Sequence, residues 1–150
     1  DPEVEINEKD ATIRSGKEKL VYVYADASSF KNPPSKDVGF PIPDVTFNLK
    51  AVDFQKVQRA GSVMQLPELA VVGDGSTIHI KAVDTKNPTA DSFIIEVGET
   101  DLTFNTIFKS ENLKMISEDY IVDISSKGIC RFSSDKLTYW VATEATSTFN

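Results

Sequence analysis

The chain has 150 residues, 40% hydrophobic and 26% charged, which describes one or two small globular domains with enough apolar material for a working core. A single cysteine, Cys130, and a single histidine, His79, exclude an intrachain disulfide and the usual zinc constellations, and both read as strand side chains. No apolar run approaches the roughly 20 residues of a membrane span and no targeting signal opens the chain, so an intracellular location is expected; the formal net charge of −7 argues against a phosphate-rich partner for the chain as a whole.

In chain order, alternation predicts three short strands at residues 3–7, 11–14 and 19–25, separated by polar turns. In the third, Leu20, Tyr22 and Tyr24 share one face and Val21, Val23 and Ala25 the other, so both faces want cover, and an uncharged edge of this kind wants a partner. Residues 27–45 hold Pro33, Pro34, Pro41 and Pro43 among Lys, Ser, Gly and Asp, a composition that suits an extended connector and marks the best domain boundary. Phe40, Ile42 and Val45 add apolar groups that a plain solvent linker would not need.

A strand at 46–49 then leads into a helix at about 50–64. Phe54, Val57, Gly61 and Met64 fall on one side of it, with Lys56 and Arg59 roughly opposite beside Val52 and Val63. Strands are expected at 69–72, 77–83 and 92–97, the first two joined through Gly73-Asp74-Gly75 and the second pair by the loop 84–91. Residues 102–104 lead into a second, short helix with a candidate N-cap at Asn105, and three alternating strands and a polar tail finish the chain. The pattern is α+β and strand-dominated, with two helices.

Residues 3–25 and 119–143 share one order, three consecutive strands and then an extended polar segment, although no residue-level repeat links them. A first domain that ends as the second does, with its opening half missing, would explain this, and a start at Asp1 without methionine fits a truncated or processed product.

A search for catalytic signatures finds no P-loop, no G-x-G-x-x-G, no G-x-S-x-G and no second histidine or cysteine to build a dyad with His79 or Cys130. Carboxylate pairs such as Glu118-Asp119 and Glu3/Glu5 suit solvated turns and strand faces. A binding or scaffold protein without enzymatic activity, metal or cofactor is therefore expected. The charge is unevenly spread: residues 46–64 carry Lys50, Lys56 and Arg59 against Asp53, and residues 105–116 carry Lys109 and Lys114 against Glu111, so the two helical stretches are the basic ones. Taken alone, those residues would be a solvated helix face.

Three stretches are specific enough to carry a resemblance. Asp53-Phe54-Gln55-Lys56-Val57-Gln58-Arg59 is similar to the first helix in the second domain of DNA polymerase sliding clamps, with Lys56 and Arg59 where eukaryotic proliferating cell nuclear antigen has basic, DNA-facing side chains. Residues 102–116 resemble the second helix, with Lys114 on its DNA-facing lysine, and Tyr139-Trp140-Val141-Ala142-Thr143-Glu144-Ala145 resembles the tail of T-even-type phage clamps, as do the starts at Lys50 and Thr103. The resemblance covers the whole chain, most strongly from Phe40 onward.

The resemblance implies a DNA clamp fold with antiparallel sheets on the outside of a ring and two helices per complete domain on its inner face. Residues 1–26 would then be the C-terminal half of a first domain, 27–45 the interdomain connector and 46–150 a complete second domain. It implies a homotrimeric processivity factor that encircles duplex DNA in the cytoplasm of an infected bacterium, is placed there by an ATP-driven loader, and tethers the replicative DNA polymerase. DNA-facing residues would be Lys50, Lys56, Arg59, Lys109 and Lys114. A partner-peptide pocket would use Phe40, Pro41, Ile42, Trp140, Ala142 and Thr143, and a subunit interface would join Leu20, Val21, Tyr22, Val23 and Tyr24 to Phe93, Ile94 and Ile95. The alternatives are a β-rich phage structural or assembly protein that touches no nucleic acid, and an enzyme with an unfamiliar site.

Overall fold

The computed structural model describes residues 1–29 and 39–150, so the part of the expected connector at 30–38 lies outside the described residues. The chain divides into two compact units, Asp1–Val38 and Gly39–Asn150.

In the first unit, β1 (Glu3–Ile6), β2 (Asp10–Ser15) and β3 (Glu18–Val23) form an antiparallel sheet in the order β1-β2-β3, with Gly16 taking φ 58° in the turn between β2 and β3. The register aligns Val4, Ile13 and Leu20 in one row and Ile6, Ala11 and Tyr22 in the next. One face is therefore wholly apolar at these rows. The other mixes Val21 and Val23 with Glu5 and Arg14, which pair at 3.3 Å. Among the described residues both faces keep exposed apolar side chains, Ile6 at 76%, Tyr22 at 62% and Val23 at 69%, although Thr12 on the central strand is buried. A three-stranded sheet needs a covering layer for independent stability, so the expectation that both faces want cover stands. A 3-10 turn at Ala27–Ser29 follows β3; the Ser28 hydroxyl and amide both donate to Asp26 and hold its carboxyl below the usual carboxylate range.

The second unit runs β4 (Val45–Leu49), α1 (Ala51–Val63), β5 (Glu68–Asp74), β6 (Thr77–Val83), β7 (Phe93–Glu99), β8 (Thr103–Lys109), a 3-10 turn at Ser110–Leu113, β9 (Tyr120–Ser125), β10 (Ile129–Ser133), β11 (Thr138–Ala142) and β12 (Thr148–Phe149). Its strands build two antiparallel sheets, β11-β10-β9-β4 and β12-β8-β5-β6-β7. Period-2 patterning turns Phe47, Val122, Ile124 and Phe132 of the first sheet and Val71, Ile80 and Phe108 of the second into one core, which α1 joins through Phe54 and Val57. Burial of each such large side chain stabilises the unit by roughly 1.5–3 kcal/mol. The core tolerates no side chain at Gly73, where a Cβ would meet the Phe104 ring at 2.4 Å.

The α+β class holds, and so does the helix at the Lys50 end. The second expected helix does not form as such. The run Thr103–Lys109 pairs along its whole length with β5, because its aromatic and β-branched residues alternate and send Phe104, Thr106 and Phe108 into the core. Asn105 is thus a strand residue and no N-cap; what remains of the helix is the four-residue 3-10 turn at Ser110–Leu113, which ends with Leu113 buried. The tail also departs from expectation. It pairs as β12 with β8, stacks Phe149 on Phe104 at 5.4 Å between centroids, and satisfies the β8 edge through Glu144 N–H to the Ile107 carbonyl. No helix among the described residues is long and apolar enough to cross a membrane.

Candidate nucleic-acid and partner surfaces

Helix α1 buries Phe54, Val57 and Gly61 and sets Gly61 against the Ala82 Cβ of β6, where a Cβ would stand 3.3 Å away. Helical geometry puts Val52, Lys56, Arg59 and Val63 on the stripe diametrically opposite, and all four are exposed. One flank between these faces carries Gln55, Gln58 and Ser62 and meets the segment after β8: Gln58 Nε2 donates to the Leu113 carbonyl at 2.7 Å, and Gln55 bonds the Ser117 hydroxyl. The Tyr120 hydroxyl, donating to the Ile116 carbonyl, holds the same segment from β9. Residues 110–117 therefore run beside α1. Lys114 shares a cavity of about 550 Å³ with Gln58, Ser62 and Met115.

The five basic residues singled out in the sequence separate into groups. Lys56 and Arg59 share a stripe, and Lys114 sits on the neighbouring segment. Lys56 pairs with Asp53 at 3.2 Å, whereas Arg59 and Lys114 make no ion pair among the described residues. Lys50 stands at the start of α1, where its ammonium donates to Asp119 at 2.8 Å, and the same carboxylate accepts the Ala51 N–H at 2.8 Å. Asp119 thus satisfies one of the helix's open N–H groups in place of a cap from Lys50. The exchange with Lys50, then the Ala51 bond, holds the Asp119 carboxyl below its usual range and raises Lys50. Lys109 ends β8 in a different cavity, of about 450 Å³, beside Glu68, Lys86 and Glu111.

The solvent-facing side of the four-stranded sheet holds the second surface. Its register aligns Thr46, Asp123, Arg131 and Trp140 in one row across β4, β9, β10 and β11. Asp123 is only 5% exposed, and Thr46 and Arg131 both donate to it. The Arg131 guanidinium lies 4.8 Å from the centroid of the Phe40 ring. Trp140 on β11 is the register partner of Arg131, and Ala142 follows Trp140 on the same face. Ile42 is 91% exposed. Pro41 is half-buried, and Thr143 turns away into a separate cavity of about 300 Å³ with Lys127, Gly128 and Ser147. Two residues here escaped the sequence reading, Asp123 and Arg131; alternation within adjacent strands was the one signal that could have paired them.

The third surface consists of two sheet edges. β3 closes one side of its three-stranded sheet and carries Leu20, Val21, Tyr22 and Val23; Tyr24 follows, its N–H donating to the Lys9 carbonyl. β7, with Phe93, Ile94 and Ile95, closes one side of the five-stranded sheet. Both outward edges are unpaired among the described residues.

Two antiparallel sheets around one core with a helix laid along them define the DNA clamp fold, and solved structures agree. A. fulgidus PCNA with the C-terminal region of FEN-1 bound matches with a TM-score of 0.56 at 13% identity, covering 98% of this chain and 65% of that one. The Helicobacter pylori beta clamp bound to a DNA ligase peptide matches with a TM-score of 0.53 at 9% identity, covering 95% of this chain and 40% of that one. The family follows from sequence: the model of the gp45 sliding clamp, C terminal, matches residues 46–145, and this chain belongs to that family. The sliding clamp of Vibrio phage KVP40 is 36% identical over 151 residues, covering 95% of this chain and 68% of the relative. That of Escherichia phage RB69 is 26% identical over 123 residues, covering 77% and 54%. The chain spans about half to two thirds of the length of these relatives.

Proposed function

We propose that this chain is part of a processivity clamp that encircles duplex DNA and holds the replicative polymerase on its template, with no catalysis of its own. The observation that carries the reading is the stripe on α1. A sliding protein needs positive charge that senses phosphates without reading bases; Lys56 and Arg59 supply it from the solvent face of a helix whose other side is locked in the core, and Lys114 adds to it from the adjoining segment. Lys50 and Lys109 are weaker contributors because they stand off that stripe, Lys50 at the start of α1 against Asp119 and Lys109 at the end of β8.

In this reading residues 1–26 complete a first clamp domain, 27–45 connect it to the second, and the ring is a homotrimer closed by pairing of the β3 edge with the β7 edge of the next subunit. An ATP-driven loader opens it, in the cytoplasm of the infected bacterium. Clients bind as short peptides against Phe40, Pro41, Ile42, Trp140 and Ala142, with Thr143 standing apart in its own cavity; partner segments of this kind are bound to two of the similar solved clamps. The test is primer extension by the phage polymerase in the presence of a trap that prevents rebinding. Longer products in the presence of loader and clamp are expected, and product lengths unaffected by the clamp would contradict the reading.

A further inference from the structure

Asp123 is a carboxylate 5% exposed on the sheet face that carries the exposed Ile121 and Trp140, and burying it uncompensated would be costly. The compensation is specific. The Thr46 hydroxyl donates to Oδ1 at 2.7 Å, while Arg131 Nε and Nη2 donate to Oδ2 at 3.1 and 2.7 Å, charge-assisted bonds that fix the guanidinium plane. The plane so fixed meets the Phe40 ring at 4.8 Å, within the range of a cation–π contact.

Downstream of Phe40, the chain is next held at Asp44, whose N–H donates to the Ile124 carbonyl at 2.9 Å and whose carboxylate accepts the Ser126 N–H at 2.6 Å. Phe40 is therefore the upstream anchor of the stretch that carries the exposed Ile42. Across the β10–β11 pair, Arg131 is the direct partner of Trp140, which is 46% exposed. The guanidinium that carries the Phe40 ring thus leans toward Asp123 on β9, while Trp140 on β11 adjoins the Arg131 backbone.

We infer that Arg131, clamped by Asp123, is a positioning residue that holds Phe40 on the outer face of the four-stranded sheet that also carries Trp140, and thereby sets the affinity of the proposed peptide surface for the apolar anchor of a client peptide. The inference rests on the peptide-groove reading above and adds the residue that shapes it. Lysine at this position would keep the charge opposite Asp123, but its ammonium has no planar fork to hold two bonds to one oxygen while stacking on a ring.

The test uses the 150-residue chain, whose only tryptophan is Trp140, titrated with a synthetic peptide copying the C-terminus of the replicative polymerase of phage KVP40 while Trp140 fluorescence is followed. Arg131→Lys is expected to weaken binding about tenfold with little change in melting temperature, and Phe40→Ala to weaken it similarly. The double variant should be little worse than either single one, because both remove the same contact. Should Arg131→Lys unfold the sheet, Phe40→Ala, which leaves the Asp123 bonds intact, still decides the matter. Affinities within about twofold of the wild type, with Trp140 still responding, would overturn the role of Arg131 and leave the groove standing. Peptide binding that leaves wild-type Trp140 unmoved would overturn both.

Discussion

Alanine at Lys56, Arg59 and Lys114 together is expected to leave the clamp folded and to shorten processive synthesis several-fold at moderate salt. None of the three contributes to the core: Lys56 and Arg59 lie opposite the buried face of α1, and Lys114 is exposed after the 3-10 turn. Alanine is also the best helix former, so α1 loses no propensity. What changes is the electrostatics of the proposed lining. Each phosphate contact removed should lower the salt dependence of DNA binding by about 0.9 in log–log slope, and a symmetric ring multiplies the loss by its number of subunits. The matching double replacement of Lys50 and Lys109 should do less, since both stand off the exposed stripe of α1, Lys50 at the helix start against Asp119 and Lys109 at the end of β8 beside Glu68 and Glu111. Primer extension under single-encounter conditions and circular dichroism report the two halves of the expectation. Unchanged product lengths in the triple variant would refute the assignment of the stripe.

If the proposed ring closes through β3, replacing Val23 by lysine is expected to weaken its association roughly ten- to hundredfold, the effect of forcing an ammonium into an apolar strand pairing. Val23 is 69% exposed on β3, and no charge interrupts residues 20–25. An edge of that composition is ordinarily paired or defended by charge. β7 offers the complementary unpaired edge, with Ile94 49% exposed. Sedimentation velocity at decreasing concentration measures the effect: the variant should dissociate at concentrations where the wild type remains assembled. A variant that sediments as the wild type does across the dilution series would count against this pairing.

Most of the second unit was legible because its residues alternate or recur with a single period. The strand at Thr77–Val83 was read to the residue, since Ile78, Ile80 and Ala82 face in and their neighbours do not. The helix was read to within one residue at each end from Phe54, Val57 and Gly61. The error at Asn105 came from a run that supports two readings. Asn105 before a mixed stretch looks like a cap, but tertiary pairing with β5 decides for strand, and that pairing is not a local property of the sequence. For the same reason the tail's polar composition concealed β12, which exists because β8 presents an edge to it.

The sites were legible in part. Charge segregation and helical period located Lys56 and Arg59 on one stripe, while the offset of Lys50 by Asp119, 69 positions away in the chain, could not be seen. The Thr46–Asp123–Arg131–Trp140 row likewise depends on strand register, which alternation constrains only to a choice of face.

The central claim is that the clamp containing this chain holds DNA by enclosing it. The most direct measurement loads the clamp onto a covalently closed circular duplex, cuts half of the sample once with a restriction enzyme, and follows retention by gel filtration. Retention on the closed circle with rapid loss from the linear form is the expected result, because a ring lined by phosphate-sensing lysine and arginine slides off any free end. Equal retention on the two forms, falling together as salt is raised, would mean that the basic stripe binds DNA from one side, and would contradict encirclement.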